Sequence, residues 1–275
     1  MTPLRLGTRP GSTARANEDF VGITSCETTC LVLLDGAGGP SELPNGCEHG
    51  TSSFVTRLGS LLLGDMTTTT PLTYILANAI RDVAQLHNHT CDLTSPGTPS
   101  STVVMARLHG DTFDYLVLGD STLVIDVGDG ISAISDKRLD AVAAEEFAAM
   151  AALPTGSVEH QQARIRYVSR QRSMRNQPGG YWIAAADPAA AFEAHTGRLH
   201  RRDIKQIALL SDGATRFVEF GLGGWTDVLY LLAHEGPDAL FDCVRDAETS
   251  DPDGVSWPRA KRHDDIAAAW FTTAS

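Results

Sequence analysis

The 275-residue sequence is short of cysteine, of basic residues and of long apolar runs, and each shortage removes a class of protein. Nowhere do about 20 apolar residues follow one another, as a membrane-spanning helix requires. Apolar runs such as 31–34 and 183–186 have the length of strands. The start, Met1-Thr-Pro-Leu-Arg, lacks the apolar stretch of a secretory signal. Lys and Arg number 22 against 34 Asp and Glu, a formal net charge of −12. Nucleic-acid binding is therefore not expected, since no overall positive field draws in phosphates. A local group of metal ions can still reverse the field inside one cleft. The five cysteines (Cys26, Cys30, Cys47, Cys91 and Cys243) are odd in number and irregularly spaced. They read as reduced, partly buried thiols of a cytoplasmic protein. A zinc site built from Cys26, Cys30, Cys47 and His49 fits no closed tetrahedral pattern well and is set aside.

What remains is ordinary globular material: 42% hydrophobic and 20% charged residues, in a chain long enough to bury a core. Thr70-Pro71 reads as an N-cap followed by proline at the first helical position. Leu72, Ile75, Leu76, Ala79, Ile80 and Val83 then recur at steps of three and four. Phe54, Val55, Leu58, Leu61 and Leu62 share that period, and 139–153, 225–234 and 237–248 also read as helices. Two pairs of short strands, 102–108 with 112–118 and 122–127 with 131–134, are joined by tight turns. These predict an antiparallel meander. The apolar runs 30–34, 181–186, 207–210 and 266–271 read as strands covered on both faces. The pattern predicts an α+β sandwich, antiparallel sheets covered by helices, with no linker dividing the chain. The Arg-rich stretch 164–175 reads as a solvated strand or loop, and its other reading is a phosphate-attracting lip over a cleft.

The chemistry lies where apolar strands meet aspartate. Leu31-Val-Leu-Leu runs into Asp35-Gly36-Ala37-Gly38-Gly39, and Tyr115-Leu-Val-Leu into Gly119-Asp120-Ser121. Ile207-Ala-Leu-Leu runs into Ser211-Asp212-Gly213, and His263-Asp264-Asp265 leads into Ile266. Any one such aspartate is an ordinary turn residue; four sites that abut apolar strands are a pattern. Carboxylates converging at strand ends would repel and take up protons unless a cation joins them. Oxygen-only ligands suit Mg²⁺ or Mn²⁺. A glycine after the ligand admits a backbone carbonyl or a close ligand approach. Competing phosphate signatures are missing. There is no Gly-rich turn ending in Lys-Ser/Thr and no Gly-x-Gly-x-x-Gly. The second acid of an aspartyl-phosphate hydrolase would stand at Ala37.

With Asn17-Glu18-Asp19 and Ser100-Ser-Thr added, the ordered set resembles the metal-dependent protein phosphatases, the type 2C Ser/Thr family. The likeness runs from about Arg15 to Phe271. It implies one catalytic domain spanning 1–275, with a four-layer αββα sandwich of two central antiparallel sheets flanked by helices. It implies Mn²⁺ or Mg²⁺, two ions with a third held more weakly. Asp35 would bridge the ions and the Gly36 carbonyl would complete one of them. Asp212 and Asp264 would be direct ligands, Glu18 and Asp19 would act through waters, and Asp120 would help hold the third ion. The implied reaction is hydrolysis of phosphoserine or phosphothreonine in a partner protein by a metal-bridged water. A Ser/Thr kinase is an implied partner; a membrane is not.

The sequence departs from that family at three places. The phosphate-binding arginine is expected four residues before the glutamate, where Ala14 stands; Arg15 is one residue closer. On a strand such a shift turns the side chain to the other face. Thr122 ends a motif that is commonly Gly-Asp-Ser-Arg, and Asp265 replaces the usual Asn, adding negative charge. These departures support an alternative function, a catalytically weak relative that binds or regulates a phosphoprotein or kinase. His87 and His89 read as a solvated helix end, and His263 as a group behind Asp264.

Overall fold

The computed structural model describes residues 4–25 and 27–273. In chain order its strands are β1 (Leu4–Arg9), β2 (Asp19–Ser25), β3 (Thr28–Asp35), β4 (Val103–His109), β5 (Thr112–Leu118), β6 (Thr122–Asp126), β7 (Ile131–Ile134), β8 (His195–His200), β9 (Gln206–Leu210) and β10 (Ile266–Thr272). Its α-helices are α1 (Gly50–Asp65), α2 (Leu72–His87), α3 (Arg138–Ala141), α4 (Ala144–Ala151), α5 (Val158–Ser173), α6 (Asp212–Glu219), α7 (Trp225–His234) and α8 (Pro237–Ser250). The strands form two antiparallel sheets of five, in the orders β1-β10-β9-β6-β7 and β2-β3-β4-β5-β8.

Strand alternation builds the layers. On β3, Cys30, Val32 and Leu34 pack under α1 and α2, while Leu31 and Leu33 point to the other sheet. On β9 and β10, Ile207, Leu209, Ala267 and Ala269 meet them in the middle. Ala208, Leu210, Ala268 and Trp270 turn outward under α6, α7 and α8. Both faces of these strands are covered, so their sequences are unbroken apolar runs. Helix, sheet, sheet, helix is the expected four-layer αββα sandwich.

Several elements differ from their sequence reading. The two hairpins form, β4 with β5 and β6 with β7, but they lie in different sheets. The chain crosses between them at Gly119, whose φ of +84° suits a residue without Cβ. The 181–186 run makes only isolated bridges, Ser101 with Ala184 and Arg175 with Tyr181. The 139–153 helix breaks into α3 and α4, with Ala143 at φ 67° between them. The Arg-rich stretch is mostly helix α5, capped by the Ser157 hydroxyl accepting from His160 N at 3.1 Å. Pro71, not Thr70, is the N-cap of α2. Strands β1, β2 and β8 carry weaker apolar patterns and were not anticipated. Cys26 lies outside the described residues, and Cys30 is buried in β3, where its thiol donates to the Met66 carbonyl. That arrangement leaves Cys30 out of any zinc set with His49.

Register places the aspartates on one rim. Asp19 opposes Asp35 across β2 and β3, and Val103 opposes Leu118 across β4 and β5. In the other sheet Leu210 opposes both Ala268 and Thr122, and Arg9 opposes Ile266. The ends of β1, β3, β5 and β9 and the starts of β2, β4, β6 and β10 therefore share an edge of the sandwich. The crossings at 10–18 and 119–121 pass over that edge.

Candidate functional site

Asp35 ends β3 and Asp19 begins β2 beside it. Asp212 is the first residue of α6, and its backbone N–H donates to Asp35 Oδ2 at 3.1 Å. Burial pushes the Asp35 carboxyl well above the usual carboxylate range, and repulsion from Asp212, Asp19, Asp264 and Asp120 adds to it. Asp19 is raised for the same reasons, burial first and Asp212 next, and its Oδ2 is buried with no hydrogen-bond partner. Asp120, on the crossing from β5 to β6, is pushed up to about 7 by burial and by Asp212. Asp212 itself rises to about 6, chiefly from burial and the Asp264 charge. Glu18 is raised by burial, with Asp265 and Asp264 contributing. The structure thus gathers Glu18, Asp19, Asp35, Asp120, Asp212 and Asp264 into one electrostatic group, although they are spread over most of the chain. Among the described residues, no three of these carboxylates bring oxygens within 4.8 Å of one another.

Asp264 is the exception in this group, because the chain supplies it with cations. Lys261 Nζ lies 2.5 Å from its Oδ1 and Arg216 Nη2 3.1 Å from its Oδ2. Burial alone would raise its pKa, but these two cations hold it below the usual range. Arg216 also meets the fully buried Glu248 at 2.5 Å, which in turn takes Arg245 at 2.5 Å and His263 Nδ1 at 2.7 Å. His263 therefore stands behind Asp264, reaching it only through Glu248 and Arg216. Sequence reasoning missed Arg216, Lys261 and Glu248. The available signal was spacing: Arg216 lies four residues after Asp212 on one helix face.

The glycines after Asp35 and Asp212 also serve the packing of the rim. A Cβ on Gly36 would stand 2.5 Å from the Glu18 carbonyl oxygen, and one on Gly213 would stand 2.1 Å from the Asp265 carbonyl oxygen. Both glycines let two chain segments touch. Asp265 accepts from Gly11 N and Glu18 N at 2.7 Å each, so its charge pins the 10–18 crossing. Thr102 donates or accepts at 2.6 Å with Ser121 and accepts from Asp35 N at 3.2 Å, while Ser100 O accepts from Ala37 N at 2.9 Å. The Ser100-Ser101-Thr102 segment thus packs against the residues around Asp35.

A cleft of about 430 Å³ opens beside Glu18, Lys261, Asp264 and Asp265. Arg15 lines it. The residue sits in the irregular crossing rather than on a strand, so the face-reversal argument does not apply to it. Arg164 reaches the same cleft from α5, and its Nε is buried without a partner. Burial holds its guanidinium below the ordinary value, with Asp264 opposing that and Arg15 adding to it. Arg164 thus brings one side chain of the Arg-rich stretch to the cleft wall. Arg172 does not reach the cleft and instead donates to the Pro44 carbonyl at 2.8 Å.

The donor set fits divalent cations on chemistry: all oxygen, net negative, with one buried carboxylate oxygen unpartnered. Two antiparallel sheets between helices, with carboxylates from five strand ends on one rim, have the plan of a metal-dependent phosphatase. The chain belongs to the protein phosphatase 2C family, whose pattern it matches over residues 7–233. Its fold is similar to that of the serine/threonine phosphatase Stp1 from Staphylococcus aureus, at 16% identity and a TM-score of 0.58, covering 100% of this chain and 96% of that one. It is also similar to the serine/threonine phosphatase PstP/Ppp from Mycobacterium tuberculosis, at 12% identity and a TM-score of 0.59, covering 98% and 97%. A third likeness is the S. agalactiae serine/threonine phosphatase, at 13% identity and a TM-score of 0.55, with 99% of each chain covered. Among curated proteins none matches the sequence significantly. No helix among the described residues is long and apolar enough to cross a membrane.

Proposed function

We propose that the chain is a Mn²⁺- or Mg²⁺-dependent phosphatase of phosphoserine and phosphothreonine in a partner protein, working as one catalytic domain in the cytoplasm. The observation that carries this reading is the group of buried, mutually repelling carboxylates at the rim, with Asp19 Oδ2 unpartnered, beside an arginine-lined cleft. Asp35, Asp212, Asp264 and the Gly36 carbonyl would hold two ions, with Glu18 and Asp19 acting through water and Asp120 supporting a third. When bound, the ions supply an acidic water as nucleophile and positive charge for the phosphoryl oxygens. Arg15 and Arg164 receive the phosphate and orient phosphorus for in-line attack. Burial leaves the Arg164 Nε–H without a partner, so a phosphate oxygen satisfies that N–H. The ester oxygen leaves toward the open side of the cleft, where solvent supplies its proton.

The test is hydrolysis of p-nitrophenyl phosphate and of phosphopeptides with and without Mn²⁺. Metal-stimulated turnover is expected, with Asp35→Asn and Asp212→Asn each losing roughly 100-fold or more in kcat. Activity that ignores both metal and these substitutions sinks the reading.

A second reading, a phosphatase-like protein that binds a phosphoprotein or regulates a kinase with little turnover, draws on Lys261. Its ammonium already sits on Asp264, and although burial works against its charge, Asp264 and Asp212 hold the proton on it firmly. A built-in cation at a metal ligand competes with the ion. On this reading Lys261→Ala tightens Mn²⁺ binding at least tenfold by calorimetry and raises turnover. Unchanged affinity and rate dispose of it.

A further inference from the structure

Away from the acidic rim, four side chains that the phosphatase reading does not use meet at one point. Cys47 and His49 end the irregular 36–49 segment that follows Asp35. His87 is the last residue of α2, and Cys91 lies one turn beyond it, its N–H donating to the His87 carbonyl at 2.9 Å. Cys47 Sγ is 3.7 Å from His49 Nδ1 and 3.5 Å from His87 Nδ1. Cys91 Sγ is 3.2 Å from Cys47 Sγ, 3.4 Å from His49 Nδ1 and 3.9 Å from His87 Nδ1. All four ligand atoms lie within 4.8 Å of one another. We propose that Cys47, His49, His87 and Cys91 form a closed structural zinc site, clamping the 36–49 segment to the end of α2.

The geometry is that of a tetrahedron with its centre left for an ion. Zinc takes sulfur at about 2.3 Å and nitrogen at about 2.0–2.1 Å, so the edges of a tetrahedral S₂N₂ site are roughly 3.3–3.8 Å. The distances found here scatter about those edges. Cys47 and His87 are both 4% exposed, so half of the set is buried, and the two imidazoles meet edge to face with centroids 4.6 Å apart. A disulfide would account for the two free thiols. It would not account for two imidazole nitrogens directed at the same point. Two thiolates neutralise the dication, and thiolate with imidazole selects zinc over the hard ions that suit the acidic rim. With all four positions taken by protein, the site has no room for substrate and acts on structure.

The clamp has a position to match. The segment it closes begins at Asp35 and carries Pro40, Ser41 and Glu42 along the cleft wall. Arg172 holds the same segment at the Pro44 carbonyl, and Asp92 N donates to the Gly46 carbonyl at 2.8 Å. A metal at its end fixes that wall relative to α1 and α2. His87 is thus not a solvated helix end. The pattern is Cys-x-His followed at a distance by His-x₃-Cys, unlike the Cys-x₂-Cys pairs by which such sites are usually found, and folding alone unites the halves.

Native mass spectrometry of the full chain, produced with zinc and passed through metal-free buffer, tests the site. About one zinc per molecule is expected to stay bound. The Asp35→Asn/Asp212→Asn double variant should keep it, which separates this site from the acidic rim. Cys47→Ser and the surface variant His49→Ala should lose it, the latter with an unchanged circular dichroism spectrum. Co²⁺ in place of zinc should give the intense visible bands of tetrahedral cobalt and a thiolate charge-transfer band, a reading independent of any variant. The proposal falls if the reduced wild-type chain takes up no zinc or cobalt, if zinc persists in Cys47→Ser, or if a Cys47–Cys91 disulfide is found in freshly purified protein.

Discussion

Asp265 stands where the family usually has Asn, and the sequence suggested that it only adds charge near the metal ligands. Its two oxygens instead accept separate backbone N–H groups, from Gly11 and Glu18. An asparagine has one acceptor oxygen and a donor NH₂, so one of those N–H groups would face another donor. Asp265→Asn is therefore expected to cost about 1.5–3 kcal/mol in urea unfolding, and Asp265→Ala more, since charged hydrogen bonds are lost and donors stranded. A change below about 0.5 kcal/mol would show that water replaces the carboxylate freely. Because the Glu18 amide is one of the two partners, the same substitutions should also weaken Mn²⁺ binding under the proposed function.

At the scale of elements, α5 shows how a charged stretch becomes part of a site. Read along the chain, its arginines are a polar run with no place in a core. Wound into a helix, His160, Ala163, Arg164 and Tyr167 fall on one face, and that face turns toward the cleft and the buried tyrosines. Arg164→Ala and Arg15→Ala are each expected to lower kcat/KM for a phosphopeptide by about 10–100-fold through lost phosphate contacts. Steady-state kinetics of the two variants measures it, and an unaltered kcat/KM in both removes the arginines from the proposal. The covered strands and most helices were legible in the sequence, since unbroken apolar runs and three-four periodicity are local signals. So were the aspartates, because each abuts such a run. What could not be read there depended on packing. The weak patterns of β1, β2 and β8 concealed edge and near-edge strands. The break at Ala143 needed a left-handed residue that alanine does not announce, and Arg216 reaches Asp264 only once α6 and β10 are side by side.

At the scale of the whole molecule, the rim carboxylates make stability depend on pH in an unusual direction. Asp212 at about 6 and Asp120 at about 7, raised first by burial and then by neighbouring charge, hold protons that the unfolded chain releases near pH 4. Between those limits the folded state binds more protons than the unfolded one, so stability falls as pH rises through this window. The metal-free protein should melt at a lower temperature at pH 7.5 than at pH 5.5, and Mn²⁺ should largely abolish the difference. A melting temperature that climbs over that interval without metal would contradict the assignment. The rim also has a mechanical consequence. Hairpin turns close the sandwich at its far edge, whereas like charges push the two covers apart at the near one. The molecule then resembles a book pressed open from the fore-edge, and a ligand bridging both covers acts as its clasp. Occupancy at one edge should slow amide exchange in the ends of β3 and β9 together, though they belong to different sheets.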